Sequence, residues 1–184
     1  MRAILGSLLL WWAAMFIPIP AIAQDAASEA GAPAQSGKTR ASEALRFDIS
    51  QSVVKMPLEE GVSVEDAMTF LRSKAEELNM KIVAHQPVSE ELEARGIESG
   101  PLHIFQFCNP EDAHQMVQHN AIFAAYMPCR IALVRDTDGR DWLVMFDLDI
   151  LIDNTPLPDD LRAIAERVNR DLLAIMKAGA TAGF

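Results

Sequence analysis

Cysteine is scarce: Cys108 and Cys129 are the only two in 184 residues, and neither belongs to a C-x-x-C or C-x-x-C-H pattern. A fast dithiol couple and covalent haem attachment both depend on those spacings, so neither is written in its usual form. Basic residues are few, 16 against 26 acidic ones, for a net charge of −10. A phosphate-binding surface needs the opposite sign, which excludes nucleic acid as an expected partner, and no polybasic cluster is present to hold an anionic membrane. G-x-S-x-G, H-E-x-x-H and phosphate-cradling glycine loops are all missing, so hydrolytic and nucleotide-dependent chemistry have no residues to carry them. There is no internal repeat. The longest apolar stretch, Ala3 to Ile17, is shorter than the roughly 20 residues of a membrane-spanning helix.

That stretch has another meaning. Arg2 supplies a positive start, AILGSLLLWWAAMFI an apolar centre, and Ala21-Ile22-Ala23 a small-residue cleavage site. This is the pattern of a secretory signal peptide over 1–23, cleaved after Ala23, with Gln24 as the first mature residue and no stable membrane insertion afterwards. The expected location is periplasmic or secreted, and no cysteine follows to mark a lipoprotein. Residues 24–42 are rich in Ala, Ser, Gly and Pro without apolar period and read as a flexible tether. Half of the residues are hydrophobic, enough for one domain with a real core, expected over 43–179 with a short tail at 180–184.

Within the domain, Leu45–Met56 alternates as a first strand. Ser63 and Asp66 form a capping-box pattern before a helix whose stripe is Val64, Ala67, Met68, Leu71, Ala75 and Leu78. Met80–Val88 reads as a strand, Ser89–Arg95 as a short helix stopped at Gly96, and Leu102–Phe107 as a third strand. Asn109-Pro110-Glu111-Asp112 is a helix start: Asn as cap, Pro in the first turn, and two acids facing the helix dipole. Asn120 restarts a short helix that Pro128 stops. Cys129–Val134 and Trp142–Leu148 form a hairpin about Asp138-Gly139, a turn signal in which both residues take positive φ. Asp147 and Asp149 alternate as the wet face of that last strand. A long helix runs from Asp159 to Ala178, with Gly179 ending it. Mixed order with a hairpin predicts an α+β fold, a largely antiparallel sheet with helices on one face.

The stretch Phe107-Cys108-Asn109-Pro110, then Met116, Met127-Pro128-Cys129-Arg130-Ile131, Asp138-Gly139 and Trp142 resembles the family of domains of unknown function numbered 302. The resemblance spans roughly residues 45–178. It implies a curved, TATA-binding-protein-like antiparallel sheet and no agreed activity, with Asn109, Pro110, Pro128, Asp138, Gly139 and Trp142 as structural motif positions. Cys108 and Cys129 stand where the family pattern has glycine and an aliphatic residue.

The segment from Phe107 to Arg130 admits three readings. In an exported chain two cysteines at the facing ends of neighbouring strands predict a disulfide, and closing a loop of that size contributes about 3 kcal/mol in the chain-entropy model. A haem or copper site would use Cys108, Met116, His119, Met127 and Cys129 as soft ligands. His114 and His119 lie about 140° apart on a helix and do not chelate as a pair. A redox thiol would place Cys108 at a helix N-terminus, opposed by Glu111 and Asp112. The sequence DTDGRD reads as a hairpin turn rather than a calcium loop, adjacent acid pairs as solvated helix starts, and His85 and His103 as single strand histidines. The expected role is non-enzymatic binding of a small molecule, a cofactor or a periplasmic protein along the sheet.

Overall fold

The computed structural model describes residues 48–183. The signal peptide and tether expected at 1–23 and 24–42 lie outside the described residues, as does the start of the first predicted strand. That strand, β1, spans Val53–Pro57. Ahead of it a 3-10 turn covers Ile49–Ser52. Asp48 accepts from the Ser50 amide at 3.0 Å and from its hydroxyl at 2.6 Å, and this local bonding draws the chain out of the extended form.

Helix α1 (Val64–Glu77) follows, with the capping box formed: Asp66 N–H donates to Ser63 Oγ at 3.0 Å, and Ser63 N–H donates back to the Asp66 carboxylate. Next come β2 (Lys81–Pro87), the short helix α2 (Val88–Glu93) and β3 (Leu102–Cys108). Helix α3 (Pro110–His119) and a 3-10 turn (Ala121–Tyr126) lead to β4 (Cys129–Arg135) and β5 (Asp141–Phe146). Helices α4 (Leu148–Asn154) and α5 (Asp159–Thr181) complete the described chain.

The five strands lie in the order β1-β5-β4-β3-β2, with every neighbouring pair antiparallel. Register sorts their side chains by face, because facing residues in an antiparallel pair project to the same side. Met56 faces Leu143, Leu133 faces Leu143, Ile131 faces Met145, and Phe105 faces Ile131. These residues turn inward onto α1 and α5. Phe105, Ile131, Leu133 and Leu143 are fully buried, together with Leu71 of α1 and Leu172, Ile175 and Met176 of α5. Burial of each such side chain stabilises by about 1.5–3 kcal/mol.

Three expectations change. Gly179 does not end the last helix, which runs on to Thr181 and stops where Ala182 and Gly183 take positive φ. Inside the helix Gly179 allows close approach: a Cβ there would sit 3.0 Å from Leu143 Cδ1 and 3.1 Å from the Ala67 carbonyl oxygen. The last strand stops at Phe146, so Asp147 and Asp149 are not its wet face. Asp147 caps α4, accepting the Asp149 N–H at 3.0 Å, and Asp149 accepts from buried Asn169 at 2.7 Å. In the hairpin only Gly139 has positive φ. Asp136 organises the turn instead, its carboxylate accepting the amides of Asp138 and Arg140 and the Trp142 Nε1–H. No helix among the described residues is long and apolar enough to cross a membrane.

Candidate functional site

Strand β3 ends, and β4 begins, at the same edge of the sheet, since Phe107 faces Cys129 across the ladder. The chain between them cannot turn back directly. It leaves as α3 and returns through the 3-10 turn, and these two elements stand off the sheet end. On the other side α4 and the first turns of α5 close in. Between the two walls lies a cavity of about 420 Å³.

Each wall is set by a local signal. Asn109 Oδ1 accepts the Glu111 and Asp112 amides at 3.0 and 3.2 Å and fixes the direction of α3. Asn120 accepts the Ile122 amide at 3.0 Å and starts the 3-10 turn. From these come Ala113, Met116, His119, Ile122, Phe123, Tyr126 and Met127. The facing wall supplies Leu148, Leu151 and Ile152 from α4, Pro156 and Leu157 from the link, and Ile164, Ala165 and Val168 from α5. Met80, Phe107, Cys108, Pro128 and Cys129 form the floor at the sheet end. The lining is overwhelmingly apolar, as in sites that hold small ligands, whose volumes run from about 300 to 1,000 Å³.

All five residues of the metal reading, Cys108, Met116, His119, Met127 and Cys129, line this one cavity. Among the described residues no three His, Cys, Asp or Glu side chains come together to hold a metal ion. His114 lies outside the lining. Both cysteines are free thiols, so the disulfide expected from the sequence is not formed in this structure. Burial pushes the Cys108 thiol above its ordinary value, with the Asp112 carboxylate adding to the effect. Burial and Cys108 raise Cys129 to about 11, against a smaller opposing pull from Arg130. Both thiols therefore stay protonated near neutrality, the reverse of an activated nucleophile.

Among the polar residues of the lining, which include Asn109, His119, Asn120 and Thr155, one carries a buried carboxylate. Asp112 is 8% exposed and lines the cavity. Its Oδ1 accepts from Arg167 Nη2 of α5 at 2.7 Å, and its Oδ2 is buried without a partner. The sequence suggested an acid facing the helix dipole; only the packing of α3 on α5 buries it. Of the structural motif positions, Asn109 and Pro128 stand at the cavity, while Asp138, Gly139 and Trp142 belong to the distant hairpin. Pro110 opens α3.

A second polar cluster lies on the inner face near α2. His85 and His103 are not single histidines: His85 Nε2 is 3.3 Å from His103 Nδ1, and Arg72 reaches His85 Nδ1 at 3.1 Å. An arginine only donates, so His85 Nδ1 accepts and its Nε2–H donates to His103. His103 then turns its own Nε2–H toward Ser89 Oγ, 3.5 Å away. The His85 ring also stacks on Phe105, 4.2 Å between centroids. Sequence spacing gave no sign of this chain, because a bulge between Ile82 and Ala84 decides which way His85 points.

No curated protein matches the chain. The crystal structure of an uncharacterised conserved protein DUF302 from Bacillus stearothermophilus is similar in fold, with a TM-score of 0.56 and 20% identity, over 68% of this chain and 95% of that one. Residues 54–179 match the family described as Domain of unknown function DUF302. From β1 to the last turns of α5, then, this chain belongs to the DUF302 family.

Proposed function

We propose that the chain is exported and works by binding, holding a small and predominantly apolar molecule in the cavity between α3 and α4. The observation that carries this reading is the cavity itself: about 420 Å³, apolar on both walls, and built in part from the segment that holds both cysteines, Met116, Met127 and His119. An apolar molecule entering it exchanges water contact for dispersion and buries about 25 cal/mol of favourable transfer energy per Å². The raised thiol pKa values favour binding over thiol catalysis. A Cys108–Cys129 bond formed after export requires local movement of the β3 end, because Phe107 and not Cys108 faces Cys129 across the ladder. Alkylation before and after reduction, under native and denaturing conditions, tests that bond. Thiols that react freely without reductant in envelope-derived protein would remove it.

The binding test is fluorescence titration with N-phenyl-1-naphthylamine. The native protein enhances and blue-shifts the probe emission, and Ala165→Trp, which fills the cavity from α5, weakens binding by about tenfold or more. An unenhanced probe, or equal binding by Ala165→Trp, overturns the reading.

A further inference from the structure

The 3-10 turn that returns the chain to β4 is apolar toward the cavity and toward solvent alike. Ala121–Tyr126 reads AIFAAY, and none of its six residues is buried. Ile122 and Tyr126 line the cavity and yet remain 63% and 48% exposed, which places them at its mouth. Past the turn the apolar surface continues. Ala125, Tyr126 and Pro128 line a groove on the outer sheet face together with Phe146, itself 41% exposed. Single exposed apolar side chains are ordinary, but a contiguous set marks a surface that meets something other than water. Charge narrows what that is. The chain has 26 acidic residues, yet none falls between Ala113 and Arg135, and Asn120–Cys129 holds no charged side chain. A charged partner would find nothing there to pair with. Tyr126 gives the turn its one polar side-chain tip, on a ring of the kind that settles where hydrocarbon meets water.

We propose that the turn Ala121–Tyr126, with Pro128 and Phe146 beside it, docks on a lipid bilayer surface and sets the mouth of the cavity against the headgroup boundary. The contact is shallow and reversible. Six residues are too few to span a bilayer, and apolar side chains held at its surface reach only the boundary of headgroups and acyl chains. A polybasic cluster is not required, because the attraction is apolar and the acid-free segment keeps the molecule's negative charge away from the lipid. The contact itself stands on the exposed turn. Its use, loading an apolar ligand directly from lipid, rests on the cavity being the binding site.

The test is flotation of protein recovered from the cell envelope with phosphatidylcholine vesicles. Native protein rises with the vesicles, and the double variant Ile122→Asp, Tyr126→Asp partitions about tenfold or more weaker. A leader left uncleaved would float both proteins alike, so equal partition overturns the proposal, as does native protein that stays with the unbound fraction. Ala124→Trp gives a reading without added charge, at an exposed position of the turn. Its emission shifts to the blue on addition of vesicles, beyond any change in the native protein, and an unshifted spectrum overturns the proposal too. Should a second copy of the chain cover the patch instead, light scattering shows a dimer that the double variant returns to monomers, and that result replaces the bilayer. Binding of N-phenyl-1-naphthylamine without flotation sinks the lipid contact alone. Flotation without probe binding removes the cavity reading and leaves the contact standing.

Discussion

Gly179 and His85 show how much single residues carry. Gly179 lies in the middle of packing between α5, α1 and β5, where an added Cβ would press on Leu143 and on the backbone oxygen of Ala67. The oxygen belongs to a helix and cannot swing aside. Alanine at a free helix position would be worth about 1 kcal/mol over glycine. Here Gly179→Ala destabilises instead, by about 1–3 kcal/mol, read as a lowered denaturant midpoint. His85 makes a pH prediction. Burial, then Arg72, then His103 lower its pKa below the ordinary 6.5, with Glu90 opposing. The unfolded chain takes up the proton near pH 6.5 and the folded chain only at lower pH. Stability from this group is thus complete above that value and declines as pH falls through the window below it. Urea midpoints measured from pH 7.5 to 5 should fall across this window, and His85→Gln should flatten the decline. An unchanged slope in the variant would place the titration elsewhere.

At the scale of elements, caps separate stability from binding. Ser63 caps α1 on the inner face, far from the cavity, and Asn109 caps α3, which forms one of its walls. Ser63→Ala and Asn109→Ala should each cost about 1 kcal/mol in denaturation. Only Asn109→Ala should also weaken probe binding, because α3 aims Asp112, Met116 and His119 at the cavity. Equal probe affinity in the two variants would mean that α3 does not shape the site. Helix α4 is the element that alternation conceals. In Asp147-Leu148-Asp149-Ile150-Leu151-Ile152 the polar and apolar residues first alternate as in a strand. Asp147 accepting the Asp149 amide turns the chain into a helix, and Asn169 pins Asp149 from α5.

For the whole molecule, the apolar start at Ala3–Ile17 and the A-x-A site at Ala21–Ala23 lead to one expectation outside the described residues. Protein recovered from the cell envelope should have the intact mass of a chain beginning at Gln24. A full-length mass would replace cleavage with retention of the leader. The two sheet faces differ in kind. The inner face is sealed by α1 and α5, while Val53, Ile104, Ala132 and Val144 of the outer face line a second groove, of about 360 Å³, beside Tyr126. Binding along the sheet, the role expected from fold analogy, would use this outer groove, whereas the function proposed above uses the cavity at the sheet's end.

The amino-acid sequence by itself determined the α+β class, the succession of strands and helices along the chain, the capped starts of α1 and α3, and the position of the hairpin. Each depends on neighbours within a few residues: alternation for strands, Ser63 with Asp66 or Asn109 with Pro110 for helices, Gly139 for the turn. It also singled out the Phe107–Arg130 segment, whose candidate ligands do meet in one cavity. Tertiary structure decided what that segment encloses. Leu148, Ile152 and Ala165, which form the opposite wall, lie tens of residues away, and no local period announces that they face Met116. The burial of Asp112 against Arg167, the His85–His103 chain and the glycine inside α5 have the same origin. They arise where two separately specified elements come to within van der Waals distance, and long-range packing alone sets that approach.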